Sequence, residues 1–146
     1  MALPPFSRFY SARVGHFSGA CLVIILGLAL RKFGYAVGLP FVAVKYGGSI
    51  LWGSMVYLLI ATLLAHHPLR QRAMIAIAVA IAVELVRLVH FPALDAFRDT
   101  AVGTLLLGRV FSLWNIACYI TGIVAAAFIA ERLSGWWQRR CVSSMP

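Results

Sequence analysis

Four apolar stretches, each close to the length of helix that crosses a bilayer, constrain the fold of this chain most strongly. They cover residues 15–30, 49–65, 73–90 and 112–130. A helix needs about 20 mainly apolar residues to cross the hydrocarbon core. With 62% hydrophobic and 12% charged residues, the chain has too little polar surface for a water-soluble domain of 146 residues. The sequence therefore predicts an all-α fold, a single integral membrane domain over residues 1–146 built as a bundle of about four transmembrane helices.

The segment before the last apolar stretch, residues 91–111, differs from the other connections. It holds Pro92, an amphipathic turn with Asp95 and Arg98, and an apolar run that is too short to span a membrane. We expect this segment to be interfacial or re-entrant. Residues 31–48 contain four glycines and Pro40, and this composition predicts a connection between the first two helices.

The basic residues indicate membrane topology rather than binding of nucleic acid. The chain has 13 Lys and Arg against 4 Asp and Glu, mostly at the ends of apolar stretches, where cations contact anionic headgroups. We expect no nucleic-acid partner, because no basic stripe is interleaved with exposed aromatic residues. A cytoplasmic N-terminus and C-terminus place seven of the 13 cations inside: Arg8, Arg13, Arg70, Arg72, Arg132, Arg139 and Arg140. Of the six others, Arg87 and Arg98 have acidic residues within one helical turn, so we prefer this orientation.

The sequence predicts no metal, no cofactor and no catalytic residue. The cysteines lie far apart and form no CxxC pair. The adjacent His66 and His67 would point about 100° apart on a helix that Pro68 ends. No Ser-His-Asp arrangement, HExxH or glycine-rich phosphate loop occurs, and although the acidic residues could act as acid and base, nothing identifies a substrate. We therefore do not expect an enzyme.

The most informative feature is a cluster of charge near the end of the third helix. Three of the four acidic residues fall between positions 84 and 99. A charge at mid-bilayer costs about 2.5 to 3.5 kcal/mol, so an acidic residue there needs a partner. Glu84 and Arg87 share a helix face at i, i+3, and Asp95 and Arg98 repeat that spacing. The predicted buried polar cluster or ligand site comprises Glu84, Arg87, Asp95, Arg98, Asn115, Tyr119 and Trp52.

Two interpretations of this cluster remain open. In the first, Glu84 and Arg87 only hold the third helix against the last one, through Asn115 and Tyr119. In the second, the cluster is a polar pocket near the outer leaflet for a membrane lipid or a lipid-linked amphiphile, because Glu84 lies about 16 Å along a helix that starts near position 73. The second interpretation predicts that Glu84→Gln and Arg98→Ala keep the fold but lose a bound lipid. A dry, fully paired Glu84 would favour the first, and a wet cleft the second.

An alternative of a different class is a structural or accessory subunit of a larger membrane protein complex. Small residues occur on every predicted helix, with Gly15 and Gly19 in the small-xxx-small spacing that lets helices approach closely in lipid. Such surfaces would dock onto another membrane protein. A small transporter is less favoured, since four short helices without an internal repeat make alternating access difficult.

Two segments of the chain resemble a known family. The strings KYGGSILWGSMVY and VELVRLVHFPALDAFRDTAVGTLLLGRVFSLWNIACYITGI resemble small bacterial membrane proteins classed only as a domain of unknown function. The resemblance covers roughly residues 26–123, through an ordered pattern of LW, E, LD, R, LG and Y-x-x-G. Its matching positions are Trp52, Glu84, Arg87, Asp95, Arg98, Gly108, Asn115 and Gly122.

Three positions depart from the resembled pattern. Gly48 and Asn115 stand where the pattern has Asp, and Arg87 stands where it has Gln. A relay of protons along carboxylates is therefore not expected here, because Asn and Gly do not titrate. A weaker likeness to the VanZ-like proteins associated with teicoplanin resistance implies a role at the bacterial cell envelope, in the inner membrane.

Overall fold

The computed structural model is all-helical. It describes the backbone of residues 5–107 and 111–143, and side chains within residues 12–107 and 111–133 apart from 101 and 105. Across those described ranges there are six helices and no strand: α1 Pro5–Phe33, α2 Phe41–Leu63, α3 Leu69–Val86, α4 Pro92–Arg98, α5 Ala101–Leu106 and α6 Leu113–Ser143. Gly108 lies outside the described residues.

Within the described part of the chain, three helices are long and apolar enough to cross a membrane. They are Ala12–Phe33 within α1, the whole of α2, and Leu113–Leu133 within α6. The 18 residues of α3 include Arg70, Arg72 and Glu84, so this helix lacks a comparably uncharged stretch. The three apolar helices support a membrane protein.

Helix α2 begins earlier than the sequence analysis predicts. Residues 41–48 belong to α2 rather than to a connection, because Pro40 lies at its N-cap with extended backbone (φ −66°, ψ 152°) and so opens the helix. Its N-terminal turns accommodate Gly47 and Gly48. Helix α3 runs over Leu69–Val86 instead of 73–90, beginning directly after Pro68. The segment 91–111 contains the two short helices α4 and α5, and α6 continues well past position 130.

Helix α2 is central in the packing. It packs against α1 on one side and α6 on the other, and α3 packs against both α2 and α6. The core between α2, α3 and α6 is built mainly of small side chains around two tyrosines. Its buried members are Val56, Tyr57, Ala61, Ala76, Ala80, Tyr119, Ile123, Ala126 and Ala127.

Glycines allow α2 and α6 to pack in direct backbone contact. A Cβ added at Gly122 would overlap the carbonyl of Ile50, and one added at Gly53 would overlap the backbone of Tyr119. At this crossing the Ser54 hydroxyl donates to the Gly122 carbonyl at 3.0 Å. Close approach of this kind replaces hydrophobic burial as a source of helix association in lipid.

One end of the bundle collects the polar groups. Because α1 and α2 are antiparallel neighbours and α3 reverses direction again, α1 and α3 finish at the same end at which α2 and α6 begin. The short helices α4 and α5 connect α3 to α6 there. We call this the polar end.

Candidate functional site

Glu84 joins α3 to α6 at the polar end. Its side chain, in the last turn of α3, is completely buried. The carboxylate accepts hydrogen bonds from the Ser112 backbone N–H at 2.8 Å and from Asn115 Nδ2 at 3.3 Å. Ser112 directly precedes α6, so the negative charge lies at a helix N-terminus, where unpaired N–H groups and the helix dipole favour it.

Arg87 is the counter-charge of Glu84. Arg87 Nη1 lies 2.5 Å from Glu84 Oε2, and its Nε donates to the Leu107 carbonyl. Arg87 is the C-cap residue of α3, a position at which the helix dipole favours a cation. Its guanidinium carbon also lies 5.9 Å from the centre of the Tyr119 ring.

Tyr119 and Trp52 complete this group of side chains. The two rings are 4.6 Å apart and inclined at 46°. The Tyr119 hydroxyl lies close enough to Glu84 and Arg87 to interact with each. Trp52 Nε1 is buried and has no hydrogen-bond partner among the described residues, which leaves one donor unsatisfied.

Asp95 and Arg98 form a separate pair. Arg98 is 3% exposed and donates to three acceptors: Asp95 Oδ1 and the Val89 carbonyl, both at 2.8 Å, and the Val86 carbonyl at 2.6 Å. The Val86 carbonyl ends α3 and also accepts from the Val89 N–H, and the Val89 carbonyl lies in the turn that follows, beyond the helical hydrogen bonds. The pair therefore connects α4 to the end of α3. It does not belong to the group of side chains around Glu84, which comprises Glu84, Arg87, Asn115, Tyr119 and Trp52 and is called the Glu84 group below.

A cleft of about 640 Å³ opens beside the Glu84 group. It lies on α2, between α1 on one side and Arg87, α5 and the start of α6 on the other. Trp52, Arg87, Asn115 and Tyr119 line it, whereas Glu84, Asp95 and Arg98 do not. Its other lining residues are Val23, Ile24, Gly27, Leu28, Arg31, Tyr35, Phe41, Val44, Lys45, Gly48, Ser49, Leu51, Met55, Leu59, Thr104 and Leu106.

Sequence reasoning missed several polar residues of the cleft, including three in α1 and α2. Arg31, Lys45 and Ser49 line it, and Ser49 Oγ donates to Asn115 Oδ1 at 3.4 Å. Two of them fall in residues 31–48, which the glycine and proline content assigns to a connection. A helix that begins directly after Pro40 would have placed Lys45, Ser49 and Trp52 on one face, at spacings of four and three.

The residues described show no arrangement of His, Cys, Asp and Glu side chains suited to a metal ion. His67 Nδ1 instead lies 2.9 Å from Gln71 Oε1, and the ring of His66 contacts that of His67 at 4.6 Å.

The model of a family described as a protein of unknown function, DUF2809, matches residues 39–123. That match spans more than half of the chain. The chain belongs to the DUF2809 family. This confirms the predicted membership of a family of unknown function. No solved structure matches the chain.

The DUF2809 match contains most of the site. It runs from the residue before Pro40 into the middle of α6, and so includes α2, α3, Glu84, Arg87, Asn115 and Tyr119. The α1 wall of the cleft lies outside it. The three positions that depart from the resembled pattern, Gly48, Arg87 and Asn115, all line the cleft.

Proposed function

We propose that this DUF2809 protein is a non-enzymatic protein of the bacterial envelope that binds a lipid or a lipid-linked amphiphile in the cleft. The observation that carries the proposal is the distribution of side chains along the cleft. Its polar part contains Arg87, Asn115 and Tyr119, and the rest is lined mainly by apolar side chains of α1 and α2. An amphiphile has the same separation of polar and apolar groups.

The length of the cleft supports an acyl chain as the apolar part of the ligand. From Lys45 to Leu59, both of which line the cleft, the axis of α2 extends about 21 Å at about 1.5 Å per residue. Half of the hydrocarbon core of a bilayer is about 15 Å thick. A chain lying along α2 from the polar end would thus remain in one leaflet for most of its length.

Glu84 takes a positioning role in this proposal. It is dry and paired, which favours its structural interpretation, but it holds Arg87 by an ion pair and Asn115 by a hydrogen bond. Both of those partners line the cleft. The structural interpretation therefore applies to the Glu84 carboxylate, which holds its partners in place. The binding interpretation applies to those partners, Arg87 and Asn115, which would contact the ligand.

The proposal includes a placement in the inner membrane. Helix α3 would act as the fourth span, with Glu84, the charge in its last turn, shielded by α6. Helices α4 and α5 would lie at the outer interface. Both termini would then be cytoplasmic, and the polar end would face outward. The likeness to VanZ-like proteins agrees with a role at the cell envelope.

Packing inside the chain weakens the accessory-subunit alternative. Gly53 and Gly122 are used in the crossing of α2 and α6, and Ala76 and Ala80 of α3 are buried in the core. Most of the small residues that motivate an external partner are therefore occupied within the protein. Gly15, whose position would allow an added Cβ without contact, is an exception.

Two glycine variants test whether the cleft binds a lipid. Gly48 and Gly15 are both helical, and a Cβ at either would have no atom within 4 Å, but only Gly48 lines the cleft. Gly48→Leu should place a branched side chain in the cleft, with a Cβ that meets no neighbouring atom, and so obstruct a ligand. Gly15→Leu is the matched control. Native mass spectrometry of the detergent-purified full chain should show a retained lipid for the wild type and Gly15→Leu, and its loss for Gly48→Leu. The same lipid complement in all three proteins would refute the proposal.

A further inference from the structure

We infer that the cleft selects an amphiphile whose headgroup is an anionic phosphate ester; this inference rests on the proposed binding of an amphiphile there. Arg31, Lys45 and Arg87 line the cleft, and none of its described lining residues carries a carboxylate. These three cations come from α1, α2 and the end of α3, so they approach the polar end of the cleft from three directions.

Arg31 and Lys45 carry charges that no nearby acidic group offsets. Both side chains are exposed, and within the described residues neither has a carboxylate oxygen within 4 Å. The Lys45 ammonium lies 5.5 Å from the centre of the Phe41 ring and 5.4 Å from that of Tyr46. Such cation–π contacts orient an ammonium group and leave its charge in place.

The pairing of Arg87 with Glu84 does not make the cleft acidic. The carboxylate of Glu84 is fully buried and accepts from Ser112 and Asn115, on the side of α6. A ligand in the cleft therefore meets the guanidinium and not the carboxylate. Arginine is well suited to phosphate, since its planar donors match two phosphate oxygens.

Neutral donors beside the cations suit the same headgroup. Ser49, Thr104 and Tyr119 present hydroxyls among the lining residues. The Thr104 hydroxyl already donates to the Arg98 carbonyl at 2.6 Å. The donor that a phosphate oxygen can redirect is therefore that of Ser49, whose contacts with the Lys45 carbonyl and Asn115 Oδ1 are longer, at 3.2 and 3.4 Å. Together with three cations it makes a site for a phosphate that carries net negative charge. A zwitterionic lipid would place its own ammonium near Arg31 and Lys45, where like charges repel.

The position of Trp52 in the cleft gives a direct readout. In full-length protein carrying Trp114→Phe, Trp136→Phe and Trp137→Phe, the remaining fluorescence comes from Trp52. Vesicles of phosphatidylcholine would contain increasing fractions of phosphatidylglycerol or phosphatidylcholine with brominated chains, which quench a nearby indole. We expect brominated phosphatidylglycerol to quench Trp52 at a lower mole fraction than brominated phosphatidylcholine does. The difference should be about fivefold for each of the two cations without an acidic partner, Arg31 and Lys45.

Charge variants distinguish the effect of cations that line the cleft from that of cations elsewhere on the protein surface. Arg31→Gln with Lys45→Gln should abolish the preference for phosphatidylglycerol. Arg13→Gln with Lys32→Gln removes the same charge from residues that do not line the cleft, and should preserve the preference. An equal loss of preference in the two double variants would overturn the inference.

Two outcomes distinguish this inference from the proposed function. If both brominated lipids quench Trp52 equally when the cleft is unaltered, and Gly48→Leu abolishes this quenching, the cleft binds lipid without selecting an anionic headgroup. That result would overturn the inference and keep the proposed function. Quenching that Gly48→Leu does not reduce for either lipid would overturn the proposed function itself.

Discussion

A single carboxylate, that of Glu84, connects two helices and organises the polar end. A buried charge is costly, and it is tolerated where an opposite charge and hydrogen-bond donors compensate for lost hydration. Glu84 has Arg87 at 2.5 Å and two donors from the start of α6. Removing one partner leaves the other charge buried, whereas removing both leaves neutral groups.

This coupling predicts non-additive variants. Glu84→Gln should destabilise the protein by about 3 kcal/mol, because Arg87 then remains charged and 7% exposed without its counter-ion. The double variant Glu84→Gln with Arg87→Gln should be more stable than Glu84→Gln alone. Unfolding of the full chain in mixed micelles, followed by circular dichroism, measures both. Additive losses of stability would contradict the coupling.

At the scale of helices, side chains from other elements satisfy two helix ends. Arg98 of α4 donates to carbonyls at the C-terminal end of α3, and Glu84 of α3 accepts from the N–H that precedes α6. Without these side chains the Val89 carbonyl and the Ser112 N–H would lack these partners in a region of low dielectric. The short helices α4 and α5 thus depend on contacts with α3, and the order of the polar end depends on these two charged residues.

The position of Arg98 predicts a large effect on stability. Arg98→Ala should cost about 2 to 3 kcal/mol, since it leaves the Val89 carbonyl without its donor and the Val86 carbonyl with the Val89 N–H alone. Asp95→Ala is the matched control and should cost under about 1 kcal/mol, because that side chain is 44% exposed. The same micelle unfolding assay compares them. A loss for Asp95→Ala as large as for Arg98→Ala would contradict the role of Arg98 in capping α3.

The crossing of α2 and α6 predicts a second pair of stabilities. Gly122→Ala should destabilise the protein by about 1 to 3 kcal/mol, because the added Cβ overlaps the Ile50 carbonyl. Gly15→Ala adds a methyl group with no neighbour and should be neutral or slightly stabilising, given the higher helix propensity of alanine. Thermal unfolding of the purified full chain ranks the two variants. Equal stability of both would show that α2 and α6 do not pack in backbone contact.

Sequence reasoning predicted features that depend on local spacing. The i, i+3 spacing of Glu84 and Arg87 predicted their ion pair, and the apolar stretches predicted helices. It could not predict that Pro40 begins a helix, since proline and glycine also break helices and the outcome depends on packing against α1. It grouped Asp95 and Arg98 with Glu84, because spacing along α4 gives no information on which helix end α4 contacts. The cleft requires three distant segments and is therefore a property of tertiary structure.

At the scale of the molecule, the basic residues at the polar end and at the opposite end of the bundle have different surroundings. At the polar end Arg31, Lys45 and Arg87 line the cleft, Arg98 pairs with Asp95, and Lys32 is exposed outside the cleft. Arg13 and Arg70 are exposed at the opposite end. Unpaired cations next to apolar spans favour the cytoplasmic side. Unpaired cations therefore lie at both ends, and the proposed orientation places Arg13 and Arg70 in the cytoplasm.

Labelling of single cysteines tests this orientation. With the native cysteines replaced by serine, Thr100→Cys places a thiol between α4 and α5, and His66→Cys places one in the connection of α2 and α3; both positions are exposed. A membrane-impermeant maleimide added to intact spheroplasts should modify the thiol at position 100 and, only after permeabilisation, the one at position 66. The reverse pattern would place the polar end in the cytoplasm.

The most direct test of the central claim, that the cleft holds an anionic amphiphile at the polar end, is the structure of the full chain in nanodiscs. The discs would contain phosphatidylglycerol, and a rigid antibody fragment would allow electron cryomicroscopy of so small a protein. We predict one ordered lipid along α2, with phosphate oxygens within about 4 Å of side-chain nitrogens of Arg31, Lys45 or Arg87. A cleft closed by contact of α1 with α6, with no ordered lipid between them, would contradict the claim.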